Sequence, residues 1–337
     1  MIDKSFPLCE LHRHLDGSIR LQTILELADQ HGIALPASDA EGLAPYIYVD
    51  EAAPGLMAFL DRFEHMTAVL VDADACRRVA YENVEDAKSE GIDYIELRYS
   101  PYFMALSHDM DPAEVMEACA DGVRAAERDT GVRANIIGGL SRTYGVEICM
   151  QELDAILAHR DHIVALDLAG DEAGFPASLF VEHFRRAREA GLHVTVHAGE
   201  AAGPQSVWSA IKDLGAERIG HGFRSIEDPA LVDYLVENDI GLESCPTSNL
   251  HISAVRDYAS HPIKQLADRG VKFCLNTDDP GISAIDLAHE YDIAAPAVGL
   301  TAEQIHQSQR DALEMAFLTA PEKSELMLKV TRDRAQQ

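Results

Sequence analysis

Eight short apolar segments recur along this chain, with amphipathic stretches between most of them. The candidate strands are Pro7–His12, Asp93–Tyr99, Val132–Gly138, Ile163–Leu168, His193–His197, Arg218–His221, Gly241–Cys245 and Lys272–Thr277. Many are continuous apolar runs rather than strict alternations, as expected of parallel strands covered on both faces. Pro112–Arg128 and Ser178–Ala190 carry helical periodicity, and the second stops at Gly191, a residue suited to ending a helix. Eight β–α units in 337 residues predict an α/β fold of the (β/α)8 TIM-barrel type. A doubly wound open sheet is the main competitor, and the lack of a G-x-G-x-x-G after the first strand weighs against it.

One segment breaks the rhythm. Roughly eighty residues separate the first two strands, too many for a plain β–α connection. Within them Leu56, Phe59, Leu60 and Phe63 recur at the spacing of an amphipathic helix. Either this stripe packs on the barrel, or part of a helical insertion at about 20–90 caps the barrel mouth and forms an apolar wall over a ligand. With no internal repeat, low-complexity run or long linker, residues 1–337 read as one domain.

Charge narrows the partners. The net charge is −29, from 28 basic and 57 acidic residues. Such a surface repels phosphate backbones, which excludes nucleic acid, and no basic cluster offers a polyphosphate site. A neutral small molecule fits better. No apolar stretch reaches ~18 residues, so no membrane span is expected. Met1 to Cys9 has one lysine and no long apolar run, unlike a signal peptide. The six cysteines are scattered without a C-x-x-C pair, which predicts a reduced, cytoplasmic protein with buried thiols and removes the thiolate zinc sites.

Unusual residues cluster where strands end. In a parallel barrel all those ends point to one face, where active sites are built. The first strand runs into Glu10-Leu-His12-Arg-His14-Leu-Asp16-Gly, and two histidines two apart on an extended chain point the same way. Alone the pair is a metal half-site or simply two core or surface histidines. The fifth ends in His197-Ala-Gly-Glu200, the sixth in His221-Gly, the eighth in Asp278-Asp279-Pro-Gly. Taken singly, these read as a core histidine with a solvated glutamate, a histidine with room around it, and a turn. Taken together, they place four imidazoles and several carboxylates at one rim. Ligation by nitrogen and oxygen suits zinc with an open position for water.

With these segments in view the chain resembles the adenosine deaminase family. The resemblance is carried by HRHLDGS at 12–18, LDLAGDE at 166–172, VHAGEA at 196–201, RIGHGF at 218–223, ESCPTSN at 243–249 and NTDDPG at 276–281, all in the family's order. It implies one zinc ion held by His12, His14, His197 and Asp278. It makes Glu200 the acid that shares a proton with the purine ring. It makes His221 the group that orients the attacking water, helps to deprotonate it and stabilises the developing charge. Asp279 would bind the attacking oxygen and the purine edge, Gly170 would offer its N–H to the ring, Asp16 would bind the ribose hydroxyl, and His14 would also contact the substrate. The implied reaction is hydrolytic deamination of adenosine and 2'-deoxyadenosine in purine salvage.

A deaminase of adenine or another 6-aminopurine is the near alternative. Relatives acting on adenine carry glutamate at the position of Asp16, and the shorter side chain leaves space for a sugar. Barrel hydrolases with a carboxylated lysine are disfavoured because no lysine follows the H-x-H at a strand end. A non-catalytic nucleoside-binding protein would have lost a ligand or Glu200, and all are present. Of the other histidines, His31, His65, His108, His159, His162, His183 and His306 are expected at the surface, and His193 at the far end of its strand. Arg98 is expected to make a structural ion pair.

Overall fold

The computed structural model describes residues 1–49 and 55–334. Eight parallel strands, β1 (Cys9–His14), β2 (Tyr94–Tyr99), β3 (Arg133–Ser141), β4 (Ile163–Ala169), β5 (His193–Ala198), β6 (Arg218–His221), β7 (Gly241–Ser244) and β8 (Phe273–Leu275), follow one another in sequence order around a barrel. Closure comes where β8 meets β1: the His14 N–H donates to the Asp278 carbonyl at 2.8 Å and the Asp278 N–H to the His12 carbonyl at 2.9 Å. All eight expected segments are strands. β1 lies two residues further along than its apolar run indicates, so His12 and His14 are both within it.

Helices connect most of the strands. Pro112–Thr130 begins with Pro at its first turn and an Asp111 cap, and ends at left-handed Gly131. The expected helix at 178–190 is a 3-10 turn, Ala177–Phe180, followed by the helix Val181–Glu189. His183 is buried rather than at the surface. It shares a helical face with Phe180 and Ala187, and its Nε2 donates to the Val146 carbonyl at 2.9 Å. His193 is exposed, pairs with Glu217 and stacks on Phe317. All six cysteines are buried and free. Among the described residues no helix is long and apolar enough to cross a membrane.

The insertion between β1 and β2 divides in two. Ala73–Ser89 packs against Pro112–Thr130 on the outside of the barrel. Leu56–Leu60 and the 3-10 turn Asp61–Phe63 instead lie over the C-terminal ends of the strands.

The largest apolar core lies outside the sheet, between strands and helices. Inside the barrel the filling is ionic. Arg98 donates to Asp167 Oδ2 at 2.9 Å, Glu243 Oε2 at 2.7 Å and the Leu11 carbonyl at 2.6 Å. Arg218 pairs with Glu96 and Glu243. All five of these side chains are buried, so each charge depends on a partner from another strand. Arg98 therefore holds the structural role expected of it.

Candidate active site

Above this ionic floor opens a cavity of about 220 Å³. His14, Asp16, Gly170, His197, Glu200, His221, Asp278 and Asp279 all line it, and His12 lies buried beneath it. The nine residues singled out from the sequence thus come to one place. Leu56, Phe59, Leu60 and Phe63 form an apolar wall on the opposite side.

Backbone geometry aims these groups. His221 and Asp278 adopt left-handed φ values of 59° and 66°, a conformation costly for residues with a Cβ. His221 ends β6 and Asp278 follows the end of β8, and both line the cavity. Gly199, at φ 71°, turns the chain between His197 and Glu200, and a Cβ there would lie 2.6 Å from Val207 Cγ2.

His12, His197, His221 and Asp278 each place a potential ligand atom within 4.8 Å of the others. His14 is as close: its Nε2 is 3.2 Å from His197 Nε2 and 3.4 Å from Asp278 Oδ1. His12 Nδ1 faces Glu243 Oε2 at 2.6 Å, and His197 Nδ1 faces Asp167 Oδ2 at 2.9 Å. Carboxylates accept, so each Nδ1 carries the proton and each Nε2 a lone pair. His12 Nε2 makes no hydrogen bond yet lies 3.1 Å from Asp278 Oδ1. Lone pairs facing one another across such distances repel unless a cation is shared between them. The donor set, nitrogen and carboxylate oxygen with carboxylates behind the imidazoles, fits a divalent ion such as zinc.

Beside it, His221 Nε2 is 3.4 Å from Glu200 Oε1. Burial, reinforced by Asp278 and Glu172, pushes the Glu200 carboxyl well above the usual range. Burial and Asp278 do the same to Asp279. Burial holds His221 well below the ordinary imidazole value, hence neutral. In the barrel, Arg98 and Arg218 overcome the cost of burial and hold Glu243 well below the carboxylate range.

Other residues emerge only from the fold. Glu172 is buried at the end of the 166–172 segment, and its carboxylate accepts the N–H groups of Gly199 at 2.6 Å, Glu200 at 3.2 Å, Ala201 at 2.7 Å and Ala202 at 2.8 Å. Ser248 donates to Asp278 Oδ2 at 2.6 Å. Asn249 reaches both His221 and Glu200. Glu172, Ser248 and Asn249 lie inside quoted motifs, which was the one signal available in the sequence.

The adenosine deaminase family model matches residues 7–333. The chain belongs to the adenosine deaminase family. Members of this family are hydrolases that depend on a metal, and the imidazole and aspartate cage is where this adenosine deaminase family chain can hold one. It is 59% identical to the adenosine deaminase of Vibrio parahaemolyticus over 98% of this chain and 99% of that protein. It is 57% identical to the adenosine deaminase of Escherichia coli O1:K1, again over 98% and 99%. A solved adenine deaminase from Arthrobacter aurescens superposes with a TM-score of 0.87 at 29% identity, covering 97% of this chain and 98% of that one.

Proposed function

We propose that this chain hydrolyses adenosine and 2'-deoxyadenosine to inosine or deoxyinosine and ammonia, a purine salvage reaction carried out in the cytoplasm without nucleic acid partners. One observation carries the reading: a buried carboxyl (Glu200), a neutral imidazole (His221) and a second carboxyl (Asp279) surround the cation cage on the floor of a cavity walled by apolar side chains.

His12, His14, His197 and Asp278 would hold one zinc ion per chain. An ion held by these residues would supply a water whose pKa falls from about 16 to about 7, and so an attacking oxygen near neutral pH. The chain's own residues do the rest. Attack on the purine carbon costs aromaticity, so the ring must be made an electron sink. Glu200, kept protonated by its surroundings, shares its proton with the adjacent ring nitrogen. Asp279, which lines the cavity with its Oδ1 buried and without a hydrogen-bond partner, would bind the attacking oxygen and the purine edge. His221 orients that oxygen and meets the charge that grows on it, which is transition-state binding. Gly170, which lines the cavity at φ 100°, would offer its N–H to the ring. Asp16 Oδ1, also without a hydrogen-bond partner, takes a ribose hydroxyl beside His14.

We read residues 1–337 as one domain, in which residues 56–63 of the insertion cap the mouth and cover the base. Aspartate at 16 favours the nucleoside over the free base, because its short side chain leaves room for the sugar. The test is loss of absorbance at the adenosine band, with adenosine, deoxyadenosine and adenine run in parallel. Adenosine turnover with adenine inert is the expected result. Preference for adenine would overturn the substrate assignment.

A further inference from the structure

Ile263 donates its backbone N–H to His261 Nδ1 at 3.1 Å. A backbone amide can only donate, so His261 Nδ1 holds a lone pair and the ring proton is on Nε2. That N–H points at Asn249 Oδ1, 3.1 Å away. The contact fixes which end of the Asn249 amide faces which neighbour. Its Nδ2 therefore faces His221 Nδ1 at 3.1 Å and Glu200 Oε1 at 3.4 Å. Nδ2 can only donate, so His221 Nδ1 is an acceptor and the His221 proton is on Nε2. A doubly protonated His221 would set donor against donor at Asn249, so the same chain excludes the imidazolium. His261, Asn249 and His221 are all buried, and no bulk water can reset the sequence of bonds.

We propose that Asn249 and His261 are positioning residues that hold His221 as its Nε2–H tautomer, so that His221 serves the reaction as a hydrogen-bond donor and not as a base. The polarity starts at the Ile263 amide and is passed along by groups that each have one way to bond. Its consequence for catalysis rests on the deamination reading; the tautomer itself does not.

Two results follow from this assignment. His12 and His197, backed by carboxylates, present lone pairs, whereas His221 presents a proton that a cation does not tolerate. Of the two overlapping ligand sets, the one containing His14 is therefore the cage. The second result concerns the attacking water. The His221 N–H meets its oxygen as charge grows there and takes no proton from it. This replaces the expectation that His221 helps to deprotonate the water.

The experiment is a long-range 1H–15N correlation on histidine-labelled enzyme, metal-loaded and metal-stripped, with His221 assigned by its loss in His221→Gln. The Nε2–H pattern is expected in both forms, and an Nδ1–H pattern overturns the proposal. Asn249→Asp replaces the donor facing His221 with an acceptor. It is expected to switch the pattern to Nδ1–H and to lower kcat by about 10²-fold with little change in KM. An unswitched pattern in that variant overturns the relay. Should Asn249→Asp not fold, Asn249→Ser removes the directing amine, and a pure Nε2–H pattern there is equally fatal. An active enzyme with Nδ1–H sinks this inference alone. An Nε2–H enzyme inert toward adenosine sinks the deamination reading instead.

Discussion

The carboxylate of Glu172 accepts the backbone N–H of Gly199 at 2.6 Å, tying the segment after the fourth strand to the end of the fifth. Three further N–H groups converge on the same carboxylate, including that of Glu200. The catalytic carboxyl therefore stands on a backbone held from below by an anion.

Glu172→Gln puts an amide NH2 against at least one of the four N–H donors and removes the charge that the others share. Stability should fall by about 2 kcal/mol or more, because buried donors lose a charged acceptor. Displacement of Glu200 should lower kcat by about 10²-fold. A double-mutant cycle with Glu200→Gln checks the link: the two kinetic losses should not add, since both act through one side chain. Additive losses would show that Glu172 acts elsewhere.

Glu200→Gln keeps the shape of the acid and removes its proton transfer. A loss in kcat of about 10² or more is expected, with metal content unchanged. Steady-state kinetics beside metal analysis decide it, and near-normal turnover would refute the assigned role.

Chelation should abolish turnover and lower the melting temperature, with both restored by added zinc. At a thousandfold excess over its dissociation constant a bound ion contributes about 4 kcal/mol to stability. Glu243→Gln should weaken metal binding by about 10–100-fold, because Glu243 backs His12. Metal titration of the two proteins tests this, and equal affinities would contradict the arrangement.

Acid should destabilise the fold partly through His261. Burial pushes its pKa down from 6.5 to about 3. Between those values the unfolded chain binds the extra proton, so stability drops as pH falls below 6.5 and the drop ends near 3. By about pH 4.5 the loss from this group is on the order of 3 kcal/mol. Denaturant unfolding of wild type and His261→Gln across that range should show a shallower acid slope in the variant; parallel slopes would count against it.

Much of this was legible in the sequence because barrel chemistry collects at strand ends. His12, His197, His221 and Asp278 are far apart in the chain but occupy equivalent places in their β–α units, so order alone brought them together. The stripe Leu56 to Phe63 was legible as a helix; whether it faced the barrel wall or the cavity depended on tertiary packing. His183 was misplaced because its polarity was weighed without Phe180 and Ala187 on the same helical face. Glu172 escaped because its partners are backbone amides of another strand end, which leave no side-chain pattern. The orientation of Asn249 required knowing that Ile263 donates to His261, a matter of hydrogen positions rather than spacing.

The ions that fill the barrel also bear on how it can assemble. Arg98 and Glu243 are separated by 145 residues, and Arg218 and Glu96 by 122. A half-barrel made from either end of the chain would close over charges whose counterparts had not yet arrived. Partial structures are thereby penalised, and the eight strands gain most when they come together in a single cooperative event.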